Sequence, residues 1–296
     1  MICRFVSAVA YAFLVAIASS AAAYAASAPV LTVESVLSPA WVERANGRRE
    51  PLTIGMALAN KEKVHTGDGG RAMLRMADGS AVKLGESALL GLDDLVQKSG
   101  AKKGGIVGAS LDVVRGAFRF TTGLLAKSDA ERDVKVKVRA VTAGIRGTDV
   151  WGKSDEDRDV VCLLEGRIDV SHGAAQFTMQ EPLSFYIAPR TGQAKPPSRV
   201  TEAQIREWSA ETEIDARTGA ARSGGASSVI AAASADERTA AALREKLRES
   251  GFPAEIARAS GGQYEVRIAS LTDTVEASVL AERLRGLGFK QARAAQ

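Results

Sequence analysis

Residues 236–253 read DERTAAALREKLRESGFP, and 37 positions further on residues 273–290 read DTVEASVLAERLRGLGFK. Of these 18 places 8 match: Asp236/Asp273, Ala240/Ala277, Leu243/Leu280, Glu245/Glu282, Leu247/Leu284, Arg248/Arg285, Gly251/Gly288 and Phe252/Phe289. Self-similarity at a fixed spacing marks a duplicated supersecondary unit. In each copy an alanine and two leucines recur at i, i+3 and i+7, one apolar stripe of an amphipathic helix. Gly251 and Gly288 follow where a helix ends on a left-handed residue. Strand-like runs surround the helices at Val229–Ala233, Ala254–Arg258 and Tyr264–Ile268. The order is therefore β-α-β twice over, an α+β unit in which two helices cover one face of a split sheet.

Upstream, from Val30 to about Pro197, short apolar runs alternate with Gly, Asp and Ser and show little helical periodicity. Strands are expected at Leu31–Val36, Ala72–Met76, Ala81–Leu84, Leu89–Leu92, Leu111–Val114, Val134–Val138, Val160–Leu164 and Ile168–Ser171. Asp78-Gly79 between two of them is a tight-turn signal. Val134-Lys135-Val136-Lys137-Val138 alternates with period two, placing valines toward a core and lysines toward water. This part reads as all-β, so the chain as a whole is multidomain.

The two parts are joined by a change of texture. Thr201-Glu202-Ala203-Gln204 has the form of a capping box, with Ile205, Trp208 and Thr212 at helical spacing behind it, so a helix over 201–216 is expected to close the β-domain with Trp208 packed on it. Residues 217–227, with Arg222-Ser223-Gly224-Gly225-Ala226 at the centre, read as a flexible linker. The expected division is 1–25 leader, 26–200 β-domain, 201–216 helix, 217–227 linker and 228–296 repeat domain.

At the N-terminus Arg4 precedes an uncharged stretch, Phe5 to Ser19, and then Ala23-Tyr24-Ala25. That is the pattern of a secretory signal peptide cut near Ala25. The alternative is an uncleaved anchor: Phe5 to Ala28 could just span a bilayer, although Ala and Ser insert weakly. Cys3 lies ahead of the apolar stretch and would be removed with a cleaved leader. The other cysteine, Cys162, sits in Val160-Val161-Cys162-Leu163-Leu164 and reads as a small hydrophobe of a buried strand. A net charge of +4, with 25% charged residues, is ordinary for a soluble protein, and no segment is basic enough to suggest a nucleic-acid partner.

Catalytic material is sparse. The chain has 2 histidines, His65 and His172, far apart and without ligand-spaced Cys, Asp or Glu beyond Asp68, so neither a metal site nor a Ser-His-Asp or Cys-His arrangement is assigned. Gly67-Asp68-Gly69-Gly70 is no phosphate loop, because neither Lys-Ser/Thr nor a helix follows. Asp155-Glu156-Asp157-Arg158-Asp159 does not have the alternation of a calcium loop and reads as a solvated hairpin tip. No cofactor is implied. A carboxylate pair acting as acid and base stays open as an alternative, with nothing in the spacing to favour it.

Several segments resemble known families. Val64-His65-Thr66-Gly67-Asp68-Gly69-Gly70-Arg71-Ala72, then Asp78-Gly79-Ser80-Ala81-Val82-Lys83-Leu84, then Ile145-Arg146-Gly147-Thr148-Asp149-Val150 and Leu164-Glu165-Gly166-Arg167-Ile168-Asp169-Val170 together resemble the FecR domain family across Val36 to Ser171. The resemblance implies an exported β-domain, partly solenoid-like, used in sensing or scaffolding. The best-known members control a sigma factor from a cytoplasmic arm. Only three residues precede Arg4 here, so no such arm is expected. A membrane-anchored FecR-type signal-transduction regulator is the alternative reading.

The repeat resembles the SPOR domain of bacterial envelope proteins, carried by Tyr264-Glu265-Val266-Arg267-Ile268, Gly251-Phe252 and Gly288-Phe289. That resemblance implies binding to peptidoglycan glycan strands stripped of their stem peptides, and recruitment to cell-division sites in the periplasm. Three positions depart from the family: Ser227 stands at the aromatic place of the first strand, Ile230 at its glutamine, and Arg267 replaces the glutamine of the third. If helices cover the face bearing Tyr264, Val266 and Ile268, then Glu265, Arg267 and Ala269 point to the other face, together with Ser228, Ile230 and Ala232. Arg267, Tyr264, Glu265, Ser228 and Ile230 are thus the candidate glycan-binding residues, on a flat open groove. A docking face for other envelope proteins is the alternative, and a membrane partner is implied only if the leader is retained. RNA-binding modules of the same topology need paired aromatics that are absent here.

Overall fold

The computed structural model describes residues 31–97, 106–124 and 133–295. The expected leader and its cleavage site lie outside them. The strands of the first domain are β1 (Leu31–Leu37), β2 (Ala40–Glu43), β3 (Arg49–Pro51), β4 (Ala57–Leu58), β5 (Lys63–Thr66), β6 (Arg71–Met76), β7 (Ala81–Leu84), β8 (Leu89–Gln97), β9 (Ile106–Thr121), β10 (Asp133–Val138), β11 (Val141–Ser154), β12 (Arg158–His172), β13 (Ala175–Met179), β14 (Ser184–Pro189) and β15 (Ser198–Arg199). After α1 (Glu202–Ala210) come β16 (Ala221–Arg222), β17 (Ser227–Ser234), α2 (Glu237–Glu249), β18 (Glu255–Arg258), β19 (Tyr264–Leu271), α3 (Thr274–Gly286) and β20 (Arg293–Ala295).

The first domain is all-β. Its core joins Leu31, Val33 and Val36 of β1 to Leu74, Val82, Leu90, Leu111, Phe118, Phe120, Val134, Ile145 and Leu163. Alternation in β10 works out residue by residue: Val134, Val136 and Val138 are buried and the residues between them exposed. Asp78-Gly79 turns β6 into β7, which pair from Ala72↔Leu84 to Arg75↔Ala81. The expected strands Val160–Leu164 and Ile168–Ser171 are one long strand, β12, because β11 runs beside them almost throughout, from Val141↔His172 to Ser154↔Asp159. Register shifts between Arg146 and Asp149 absorb the irregularity, as bulges do. Strands β9 and β10 pair in parallel from Gly108↔Asp133 to Val113↔Val138.

The acidic run is only in part a solvated tip. Asp155 caps the turn by accepting from the backbone N–H groups of Asp157 and Arg158. Asp159, however, is fully buried and takes a two-pronged ion pair from Arg190, Nη1 to Oδ2 at 2.6 Å and Nη2 to Oδ1 at 2.7 Å. Burial opposes its ionisation, but hydrogen bonds from Arg190, Ser154 and the Ala140 amide outweigh that and hold the carboxyl below the usual range. The partner lies 31 residues away, which is why charge spacing alone missed it.

Helix α1 is shorter than the expected 201–216. Thr201 caps it, accepting from Gln204 N, and the helix ends at Ala210. Trp208 stacks on buried Trp151 with centroids 4.8 Å apart and planes 7° from parallel. Beneath it lie Val160 and Cys162; burial, with a smaller contribution from Asp149, pushes the Cys162 thiol up to about 12.

In the repeat domain the ladders give the strand order β20-β17-β19-β18. Val229, Ala231, Val266 and Ile268 of the sheet share a core with Ala240 and Leu247 of α2 and Ala277, Leu280 and Leu284 of α3. The two copies repeat their ends as well as their stripes. Asp236 accepts from Thr239 N, and Asp273 from Val275 N and Glu276 N. Phe252 N donates to Leu247 O and Phe289 N to Leu284 O, each at 3.0 Å. These closures across five residues satisfy carbonyls in the last turn of each helix.

The segment 217–227 is not a flexible linker. Backbone N–H groups of Arg217 and Gly219 donate to the buried carboxylate of Glu276 at 2.5 and 2.6 Å. Then β16 pairs on one side with β1, Ser35↔Arg222 and Val36↔Ala221, and on the other with β19, Ala221↔Leu271. Small polar residues read as flexible because they carry little packing information, yet their backbone groups still seek partners, and stretches of β1 and β19 that their other neighbours leave uncovered supply them. The domains therefore share one hydrogen-bonded sheet system. Ala40 N donates to Gly251 O at 3.2 Å, Arg283 Nη2 donates to Ser38 O at 2.6 Å, and Ile54 packs on both cores. Two of the places where the repeat copies differ, Thr239/Glu276 and Lys246/Arg283, put an interdomain contact on the second copy.

Candidate functional site

The sheet of the repeat domain has its helices on one face, and the opposite face carries four of the five candidate residues. Ladder register gives a row across it: Arg293 on β20 faces Ile230 on β17, Ile230 faces Arg267 on β19, and Arg267 faces Glu255 on β18. Glu265 lies two residues from Arg267 on the same face. It is 7% exposed and accepts from Arg267 Nε at 2.8 Å and from Arg267 Nη2. Arg293 Nη2 approaches its other oxygen at 3.5 Å. A buried carboxylate thus holds two arginines side by side, and Arg267 keeps a third of its side chain in solvent. Charge-assisted bonds of this kind fix a guanidinium in direction as well as place.

Of the five expected residues, Arg267, Glu265, Ser228 and Ile230 are brought to this face. Ile230 and Ser228 are more enclosed than an open groove requires, at 4% and 9% exposure. Ile230 stands between two arginines whose long side chains shield it. Tyr264 is on the other side: its ring packs against the helix-side core, its hydroxyl accepts from Arg258 Nη2 at 3.2 Å, and the Arg258 guanidinium lies 5.3 Å from the ring centre. Alternation along β19 forbids Tyr264 and Arg267 from sharing a face. Ala232 is also displaced from the expected face. The register shifts between Ile230 and Ala232, so Ala232 lies opposite Val266 and packs on the helix-side core. One extra residue in a strand reverses the facing of everything after it.

Sequence reasoning missed Arg293 and Glu255. Both become visible only when the last strand is paired beside the first and β18 beside β19; neither pairing has a local signal.

In the first domain His172 Nδ1 is 2.9 Å from the Tyr186 hydroxyl, and His65 Nε2 lies 3.3 Å from Glu43. Burial and the charge of Arg49 hold His65 below its usual pKa despite Glu43. Among the described residues no group of three or more His, Cys, Asp or Glu is placed to hold a metal ion, and no helix is long and apolar enough to cross a membrane.

No curated protein matches the chain. Two crystal structures of a candidate anti-sigma factor from Parabacteroides distasonis ATCC 8503 are similar to it. The first is 13% identical with a TM-score of 0.40, and the match covers 49% of this chain and 63% of that one. The second is 12% identical with a TM-score of 0.40, covering 78% of this chain and 96% of that one. Family models match twice, the FecR protein model at residues 62–169 and the SPOR domain model at residues 223–293. The chain therefore carries a FecR domain followed by a C-terminal SPOR domain.

Proposed function

We propose that this is an exported, non-catalytic protein of the periplasm, whose SPOR domain binds stripped peptidoglycan glycan strands and whose FecR domain serves as a sensing or scaffolding module. The observation that carries the glycan reading is the pair of arginines held by Glu265 on the helix-free face of the SPOR sheet. Arg267 spends Nε and Nη2 on Glu265 and keeps Nη1 for hydroxyl or acetamido oxygens of a sugar chain. Arg267 and Arg293 against Glu255 and Glu265 leave the face without net charge, which suits an acceptor-rich sugar surface better than a polyanion.

Co-sedimentation of the full chain with amidase-treated glycan strands tests the reading. Arg267→Ala should weaken binding about tenfold, the loss of one charge-assisted contact. Glu265→Gln keeps both arginines but loosens them, and should cost less. Undiminished binding by both variants would sink the assignment of this face. Export is tested separately: N-terminal sequencing of protein recovered from the envelope should find a chain beginning near Ala26, and an intact leader would favour the anchored form.

A further inference from the structure

We propose that the FecR domain carries a second binding site, a groove that takes an acidic peptide segment of a partner protein. The groove, a cavity of about 770 Å³, lies away from the SPOR sheet. Arg71 of β6, Arg115 of β9 and Arg139 of the β10–β11 turn line it. Arg71 Nε donates to the main-chain oxygen of Glu211 at 3.1 Å, and Arg115 Nε to that of Ser87 at 2.9 Å. Each guanidinium is thereby anchored through its inner nitrogen, while its two terminal nitrogens have no partner among the described residues. Arg139, exposed, has no side-chain partner among them. A fork anchored at Nε and bare at its end is preorganised for two-pronged capture of a carboxylate.

Four acidic side chains also line the groove, but most are already engaged. Glu211 pairs with Lys153 at 2.9 Å, Glu86 accepts from Gly69 N at 3.1 Å, and Asp155 caps its own hairpin. Of the four, Glu156 at the exposed tip has no partner among the described residues. The unspent capacity is thus of donors, on three separate elements. Between them lies apolar surface. The β8–β9 ladder shifts register so that Leu89 faces Arg115 and Leu90 faces Val113; the bulged Val114 stands 38% exposed in the wall beside Leu89. An extended chain presents side chains of one face about 7 Å apart, so a peptide whose every second residue is in turn carboxylate and aliphatic sets both chemistries on the face turned to the groove, one for the arginines and one for Leu89 and Val114.

This inference gives a ligand class to the sensing or scaffolding reading of the FecR domain and rests on it, whereas glycan binding is measured apart. Fluorescence anisotropy of the full chain with a fluorescein-labelled octapeptide of the order Glu-Ser-Val-Ser-Glu-Ser-Val-Ser, which places glutamate and valine on one face of an extended chain, is the test. The expected result is saturable binding, weakened about tenfold or more by Arg115→Ala with Arg139→Ala, with thermal midpoint and glycan co-sedimentation unchanged. Arg139→Ala alone, at an exposed and unpartnered side chain, should weaken binding without disturbing the fold. No binding, equal binding of the glutamine-for-glutamate peptide, indifference to both variants, or displacement of the peptide by an equal concentration of inorganic phosphate would each overturn the proposal. Loss of glycan binding alone would leave it standing and strike only the SPOR reading.

Discussion

Gly251 and Gly288 are equivalent by sequence, each ending a helix in its copy of the repeat, and alanine at the two places should nevertheless have unequal effects. Both hold positive φ, +79° and +96°, a region that costs a side chain about 1–2 kcal/mol. Around Gly288 nothing lies within 4 Å of an added Cβ, so Gly288→Ala should cost that amount alone. At Gly251 the same atom would sit 2.7 Å from Cε2 and Cζ2 of Trp41 and 2.9 Å from Cβ of Pro39, both in the FecR domain. Trp41 has little room to retreat. Its ring edge faces Gly67 closely, and the Arg49 guanidinium covers the ring at 4.2 Å. Overpacking of this kind adds about 1–3 kcal/mol, which brings Gly251→Ala to about 2–5 kcal/mol.

Urea denaturation followed by circular dichroism measures both costs, and a double-mutant cycle with Trp41→Ala isolates the contact. The coupling should be about 1–3 kcal/mol and relieving in sign. Equal costs at the two glycines, or an undiminished Gly251→Ala penalty when Trp41 is gone, would refute the docking of the SPOR domain on the FecR domain.

Three further outcomes are expected. Asp159→Asn leaves Arg190 without its buried partner and should lower stability by about 3 kcal/mol in thermal melts; because the folded-state pKa of Asp159 is depressed, the pair's contribution is present above the ordinary carboxylate value of about 3.9 and fades as pH falls through the lower folded value, so a loss confined to pH 5–7 would contradict it. Glu276→Ala removes the acceptor of two buried-side backbone donors and should cost about 2 kcal/mol; limited proteolysis should then cut within 217–227, where the parent chain resists. Cys162, with its thiol pushed up to about 12 by burial, should stay unmodified by iodoacetamide at pH 8 until the protein unfolds, and labelling of the folded protein would argue against the packing of α1 over it.

What was legible in the sequence follows from range. The helices α2 and α3, their aspartate caps and glycine ends depend on neighbours within a few residues, so the stripe of Leu243, Leu247, Leu280 and Leu284 locates them. The valines of β10 are legible for the same reason. Strand β11 was not, because Gly144, Gly147 and Gly152 interrupt its alternation; it forms because β9, β10 and β12 pair with it on its two edges. The candidate face was legible in β19 from Tyr264 to Ile268, where alternation is unbroken, and illegible in β17, where a bulge places Ala232 opposite Val266.

By itself the sequence determined an all-β FecR domain, a duplicated SPOR unit, and the side of β19 on which Glu265 and Arg267 stand. These rest on local periodicity, which the backbone obeys wherever the chain ends up. Tertiary structure alone decided that Glu265 holds both Arg267 and Arg293, that Tyr264 serves the core, and that the supposed linker is a strand shared by two domains. Each of those depends on which distant backbone edges and charges meet, and a burial or pairing free energy summed over such contacts is not written in any short stretch of residues.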